Sequence, residues 1–434
     1  MNNFSYSEQL IEFIKNSPTS YHAVDNMKKF LNSAGFECLD ENEPWCLKSN
    51  NGYYVTRNDS SIIAFIVGAK EPIETGIRLV GAHTDSPCLK IKPNPEIHKK
   101  TYCQLGVEVY GGVLLNTWFD RDLSIAGKVT FKHKDNKLAV ALIDFKKPIA
   151  VIPSLAIHLN RDANNGYIVN PETGMRPILT VRHTNNEDFR DILAEKLVSQ
   201  LSLTSKSDNF SVIDYDLSFY DTQPPGLIGR KKDFISSARL DNLLSCFAGV
   251  QAIIRTNKQV TSMLACYDHE EVGSTSAIGA NGAFMESVLN RLFDQAETKS
   301  RVVANSMLIS TDNAHGVHPN FLDKHDENHS PIINNGLVIK VNANQRYATD
   351  SLTSSLLKNL CNDISIPTQS FVNRADMSCG STIGPITAAN IGIKTIDIGV
   401  PTFAMHSIRE IAGKEDAFYL FQMLNKFLDT EKLQ

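Results

Sequence analysis

The chain has 434 residues, with 43 Lys plus Arg against 48 Asp plus Glu and a formal net charge of −5. That length exceeds what a single hydrophobic core usually organises, and it predicts two domains or one large domain with a sizeable insertion. The near-balance of charge and the lack of a basic tract argue against a nucleic-acid or membrane-surface partner.

The opening residues MNNFSYSEQL carry no basic segment leading into an apolar one, and no apolar run approaches a membrane span, so a cytoplasmic enzyme is expected. Apolar residues at helical spacing predict helices over 7–16 and 21–33, separated at Pro18. Strands are predicted over 61–68 and 76–81, the second running directly into AHTDSP. From about 93 to 231 the texture changes to Val-rich alternating segments at 105–110, 127–133, 137–145 and 149–158, punctuated by Gly111-Gly112 and Asp135-Asn136, with a helix near 188–201. This region reads as a β-rich module, 93–231, inserted into a discontinuous domain formed by 1–92 and 232–434. After Ser236, helices at 241–255, 284–294, 350–361 and 414–429 alternate with strands at 261–267, 306–310, 336–341 and 394–399. That alternation predicts an α/β fold, a mixed but largely parallel sheet flanked by helices.

Eight cysteines, at 38, 46, 88, 103, 246, 266, 361 and 379, contain no C-x-x-C pair and read as reduced core residues. The densest chemistry lies in YDHEEVGS, 267–274, where three carboxylates and a histidine occupy consecutive positions. Unpaired charge of that density is costly to bury and calls for cations. Further ligand types stand at strand ends or helix starts: His83 and Asp85 in HTD, Asp241 in RLDN, Asp312 in STDNAH and His406 in AMHS. Open α/β sheets gather such residues beyond the carboxyl ends of their strands. Two histidines and three carboxylates suit two Zn²⁺, Co²⁺ or Mn²⁺ ions sharing one bridging carboxylate, for which Asp241 is the best candidate. Asp85, two residues from His83 on extended chain, would accept its ring N–H. Adjacent Glu270 and Glu271, projecting differently from extended backbone, would divide into one metal ligand and one general base that takes a proton from a metal-bridged water. No nucleophile elbow or Cys/His signature accompanies Ser274, Ser276 or Cys379.

The blocks GAHTDSPCLKIKPNP (81–95), LAIHLNR (155–161), SARLDN (237–242), DHEEVGS (268–274), STDNAHGVHPN (310–320), KVNANQRYAT (340–349), CGSTIGPI (379–386) and MHSIRE (405–410) follow in one order along the chain. Through them the chain resembles the aspartyl aminopeptidase family of metallopeptidases over nearly its whole length. The resemblance implies a dinuclear zinc-peptidase fold in which His83 and Asp312 hold one metal, Glu271 and His406 the other, and Asp241 bridges. It gives Glu270 the place of the catalytic base and Asp85 that of the support for the first histidine. His158 matches a histidine that reaches into a neighbouring subunit's site, while His315, Lys340 and Tyr347 match positions lining the substrate pocket. It also implies a tetrahedral dodecamer of dimers, with the β-rich insertion as assembly domain, acting on peptides that have a free N-terminus. A lysine at a strand end, Lys340, points to N-terminal Asp or Glu, though family members preferring neutral or apolar residues exist. A carboxypeptidase or deacylase of the same architecture, and a non-enzymatic self-assembling shell or cargo protein, are the other readings. Asp268, His269 and His318 read as structural, His325 and His329 as members of a solvated or interface loop, and His22, His98, His133 and His183 as ordinary isolated residues.

Overall fold

A computed structural model of the chain describes residues 2–132, 137–181, 188–201 and 211–433; His133, His183 and the Asp135-Asn136 turn lie outside the described residues. The chain forms two compact units, one of Met1–Ser86, Pro225–Met405 and Glu410–Gln434, the other of Pro87–Pro224 with His406–Arg409. The seams therefore fall a few residues earlier than the 92/93 and 231/232 positions read from sequence. Strand Cys88–Lys99 pairs with strands Tyr102–Tyr110 and Ser211–Asp221 of the second unit, whereas Gly226–Ile228 pairs with Phe234–Ser237 of the first. The excursion of His406–Arg409 has a local cause: Ile408 is buried in the core of the second unit, and Arg409 donates to the carbonyls of Gln223 and Pro224.

The first unit is α/β, as the alternation predicts. Its nine-stranded mixed sheet runs Glu37–Cys38, Gly52–Arg57, Ser61–Ile66, Ser262–Tyr267, Arg78–His83, Met307–Thr311, Lys394–Gly399, Leu337–Val341 and Thr368–Val372. The four central strands, from Ser262–Tyr267 to Lys394–Gly399, are parallel. Both faces are covered, which is why these strands read as continuous apolar runs. Along Ser61–Ile66, Ile62, Ala64 and Ile66 enter one core and Ile63 and Phe65 the other. Helix Leu240–Ile253, buried at every position, fills the first of these cores. Helices Asn3–Lys15, Ser20–Ser33 and Lys414–Leu428 pack outside it, close to the ranges predicted from spacing. A smaller five-stranded sheet joins Gly226–Ile228, Phe234–Ser237, Glu410–Gly413, Pro401–Phe403 and Ala314–His315.

The second unit is a six-stranded antiparallel sheet carrying helix Phe189–Leu201, whose Phe189, Leu193 and Leu197 are buried. Two expectations change here. Residues 149–158 form no strand, only isolated bridges at Ala150 and Val151 followed by a turn; Pro148 and Pro153 remove the backbone donors that a ladder needs. Strand Cys88–Lys99, for which no strand was predicted, accommodates Pro93 and Pro95 because its register shifts between Ile91 and Glu96 and the ladder is interrupted where the prolines lie. The eight cysteines form no disulfide; Cys246, Cys266 and Cys361 are buried as expected, while Cys38 and Cys46 are exposed rather than in the core. Among the described residues no helix is long and apolar enough to cross a membrane.

Phe247, fully buried in helix Leu240–Ile253, lies 5.2 Å from the Tyr6 ring, 5.4 Å from Phe13 and 6.0 Å from Phe30, centroid to centroid. It ties both N-terminal helices to the central one. Phe247→Ala is expected to cost about 3–5 kcal/mol, measured as a lowered urea midpoint, and a midpoint equal to the parent's would show that this cluster does not hold the layer.

Candidate metal centre

Strands Ser262–Tyr267, Arg78–His83 and Met307–Thr311 are parallel neighbours in register, with Tyr267 opposite His83. Residues leaving their carboxyl ends therefore arrive side by side: Asp268 to Glu271, His83 to Asp85, and Asp312. Gly399, on the next strand, permits the close passage of this last residue, since a Cβ there would stand 2.0 Å from the Asp312 carbonyl oxygen. Asp241 comes from a different layer, the first turn of helix Leu240–Ile253, where it and Asn242 depart from helical φ/ψ and share a cis peptide. Its surroundings hold it by the backbone. Ser86 Oγ donates to the Asp241 carbonyl at 2.6 Å, Asn242 Nδ2 donates to the Thr311 carbonyl at 2.7 Å, and the Asp241 N–H donates to Glu410 Oε2 at 2.9 Å.

The result is a buried cluster centred on His83, which is 1% exposed. His83 Nε2 lies 3.3 Å from Asp241 Oδ1, 3.6 Å from Asp312 Oδ1 and 3.9 Å from Glu270 Oε2. Ligand atoms of His83, Asp241 and Asp312 lie within 4.8 Å of one another, and so do those of His83, Glu270 and Glu271. Asp85 has the neighbour expected for it, with His83 Nδ1 3.4 Å from its Oδ1 and 3.1 Å from its carbonyl oxygen. It also does something the sequence did not suggest: its two carboxylate oxygens accept the backbone N–H groups of Glu270 and Glu271 at 3.2 and 3.1 Å. The glutamates are not on extended chain, as spacing implied, but in a 3₁₀ turn Glu270–Val272 that follows His269 in the left-handed region. Asp85 caps that turn with a charged acceptor, fixing the glutamates against the histidine strand.

Charge in the pocket is strongly perturbed. Burial pushes Glu270 up to about 8, with Asp312, Asp85 and Asp241 adding to the rise and His83 opposing it. Burial, then Asp241, drives Glu271 well above the carboxylate range. Burial works to lower His83, yet Glu270 and the hydrogen bonds of Asp241, Asp312 and Asp85 hold it well above an ordinary imidazole. Burial would also raise Asp312, but the Lys340 cation and His83 keep it well below its usual value. Glu270, Glu271 and His83 thus hold a proton more tightly than usual, through burial for the two glutamates and through the neighbouring carboxylates for the histidine, whereas Asp312, beside Lys340, holds its proton less tightly. Imidazole nitrogen among carboxylates is a donor set suited to a divalent ion of the zinc type, so the residues fit such a cofactor.

A second group of predicted residues gathers next to the first. Lys340 is 2% exposed, with Nζ 3.3 Å from Asp312 Oδ2 and 5.2 Å from the Tyr347 ring centroid. Tyr347 and the exposed His315 both pack near Phe371, at 6.4 and 5.7 Å between centroids. His158 is exposed in a turn of the second unit. His406, half-buried, belongs to the same unit and places Nδ1 3.0 Å from the Gly112 carbonyl oxygen. Asp268 accepts from the His269 N–H and from Ser20 Oγ, the His269 ring meets Ser276 Oγ, and His318 packs on Phe321 and Phe403. These three have the structural partners expected of them. His325 Nε2 accepts the His318 N–H, and His329 Nδ1 lies 2.7 Å from Asp326 Oδ1. Sequence reasoning missed Ser86 and Glu410. Both stand inside the quoted blocks, but no spacing rule links either to Asp241.

The profile of the aminopeptidase I zinc metalloprotease family (M18) matches residues 13–428. A curated relative, "Probable M18 family aminopeptidase 2" of Pseudomonas syringae pv. tomato, is 54% identical over 425 residues, 98% of either chain. Among solved structures, a chain of the Ape4 and Nbr1 complex superposes with a TM-score of 0.94 at 37% identity, covering 98% of this chain and 86% of that one. The mApe1 dodecamer of S. cerevisiae gives 0.82 at 29% identity, covering 97% of this chain and 95% of that one. A buried imidazole and carboxylate cluster suited to zinc, on an α/β sheet shared with these aminopeptidases and matched along nearly its full length, places the chain in the M18 family as a zinc metalloaminopeptidase, a peptide hydrolase.

Proposed function

We propose that this enzyme removes N-terminal residues, preferentially Asp or Glu, from peptides, using two divalent ions per subunit. The observation that carries the metal reading is the convergence of Asp241, Asp312 and Glu270 on His83 Nε2 at 3.3 to 3.9 Å. His83 and Asp312 would hold one ion, Glu271 and His406 the other, and Asp241 would bridge them, as the family resemblance implies. When bound, the metal supplies Lewis acidity, making water a better nucleophile and polarising the scissile carbonyl.

Glu270 is the general base in this reading. Its carboxyl is raised toward neutrality by burial, so it can take a proton from the attacking water and return it to the leaving amine. Asp85 orients the reaction from behind: it faces His83 Nδ1 and pins the turn that presents Glu270. The acidic cluster also suits the protonated α-amine of a peptide. Lys340, Tyr347 and His315 line the side-chain pocket, with Lys340 pairing a substrate carboxylate. Its ion pair with Asp312 favours a second reading, in which the lysine is already committed and the preferred residue is neutral or apolar. For assembly we infer a homo-oligomer, a dodecamer built from dimers through the β-rich module. The similarity to the mApe1 dodecamer supports this, and the exposed His158 turn is the part that would enter a neighbouring subunit's site.

Glu270→Gln should keep its metal, by elemental analysis, while kcat falls by about 10²–10⁴-fold; full activity in that variant would remove Glu270 as the base. Asp241→Ala should lose metal in the same measurement, and a normal metal content would dismiss Asp241 as a ligand. With Asp-, Glu-, Leu- and Lys-amide substrates on one preparation, acidic residues should lead, and Lys340→Met should cut the Asp-to-Leu ratio of kcat/KM by about 10–100-fold, the worth of a charged hydrogen bond. A ratio unmoved by that substitution would favour the neutral preference.

A further inference from the structure

Glu410 is a buried carboxylate, 2% exposed, at the start of strand Glu410–Gly413. That strand is antiparallel to Phe234–Ser237, with Glu410 opposite Ser237, so the side chain is fixed close to the chain that turns through Arg239 into helix Leu240–Ile253. Its Oε2 accepts the Asp241 N–H at 2.9 Å. The N–H groups of a helix's first turn lack intrahelical acceptors, so something must satisfy this one in a buried setting. A serine or threonine hydroxyl would suffice, at far lower desolvation cost. A carboxylate is the stronger acceptor, and its charge adds to the negative potential around Asp241.

Besides the approach of His83 to its carboxylate, hydrogen bonds hold the Asp241–Asn242 pair: Glu410 accepts the Asp241 N–H, Ser86 donates to the Asp241 carbonyl, and Asn242 donates to the Thr311 carbonyl next to Asp312. Among these three hydrogen-bond partners Glu410 is the carboxylate. We propose that Glu410 is a positioning residue for metal binding: through the Asp241 backbone it sets the direction of that carboxylate, and its own charge makes the pocket more attractive to a cation. The inference rests on the reading of Asp241 as a metal ligand. Glu410, buried behind Asp241, acts through it.

The test is a zinc titration of the metal-stripped full-length protein against a competing chelator, for the parent, Glu410→Gln, Glu410→Ala and Asp241→Ala, alongside the thermal midpoint of each stripped protein. Glu410→Gln preserves size and one acceptor, so the stripped midpoint should match the parent's while zinc binds about 10–100-fold more weakly; excess zinc should restore kcat, with KM unchanged. Zinc affinity equal to the parent's in Glu410→Gln overturns the inference, and so does a lowered stripped midpoint with unaltered zinc affinity, which would mark a purely structural role. Should Glu410→Ala fail to fold, the Gln variant still decides. Undiminished zinc binding in Asp241→Ala would overturn the ligand reading beneath the inference, whereas loss there beside normal binding in Glu410→Gln would overturn the inference alone.

Discussion

Five carboxylates, those of Asp85, Asp241, Glu270, Glu271 and Asp312, gather around the buried imidazole of His83, and the arrangement around them follows from the cost of that charge. Each uncompensated anion in a low-dielectric interior costs several kcal/mol, so each must find a proton, a hydrogen-bond donor or a cation. The backbone supplies part of the compensation. The N–H groups of Glu270 and Glu271 point at Asp85, and that of Asp241 points at Glu410. Lys340 supplies a formal charge to Asp312. What remains is the electrostatic appetite of a zinc enzyme.

Such a pocket can exist only where the scaffold resists its self-repulsion. The parallel strands that deliver His83, Asp312 and the 268–271 turn are buried on both faces, and the helix carrying Asp241 is buried along its whole length. Rigid delivery matters for chemistry as well as stability, because the general base and the metal ligands must meet a substrate carbonyl within fractions of an ångström. The 3₁₀ turn at Glu270–Val272 serves this purpose differently from an extended strand: it brings both glutamates toward His83 instead of sending them in different directions.

Lys340 shows how one charge can be claimed twice. From sequence it is a strand-end cation awaiting a substrate carboxylate; in the fold it is buried and paired with Asp312, beneath Tyr347. If Asp312 binds metal and Lys340 borders the side-chain pocket, as proposed, this one ion pair would couple substrate preference to the electrostatics of the centre.

The alternation of helices and strands, the ends of the long helices and the residue types of the site were legible because they depend on local periodicity and on the chemistry of single side chains. The strand Cys88–Lys99 was hidden because its prolines lie where the register shifts, and 149–158 misled because its apolar alternation is defeated by Pro148 and Pro153. The conformation of Glu270 and Glu271, the second task of Asp85, the pairing of Lys340 and the contact of Glu410 with Asp241 were decided by tertiary structure alone. Each joins residues far apart in the chain, and no local pattern encodes which buried donor will meet which buried acceptor. The sequence by itself determined that a metal-binding acidic cluster would form on an α/β sheet; only the folded chain decided how that charge is held in place, since the balance of burial, hydrogen bonding and ion pairing exists only once the distant segments have met.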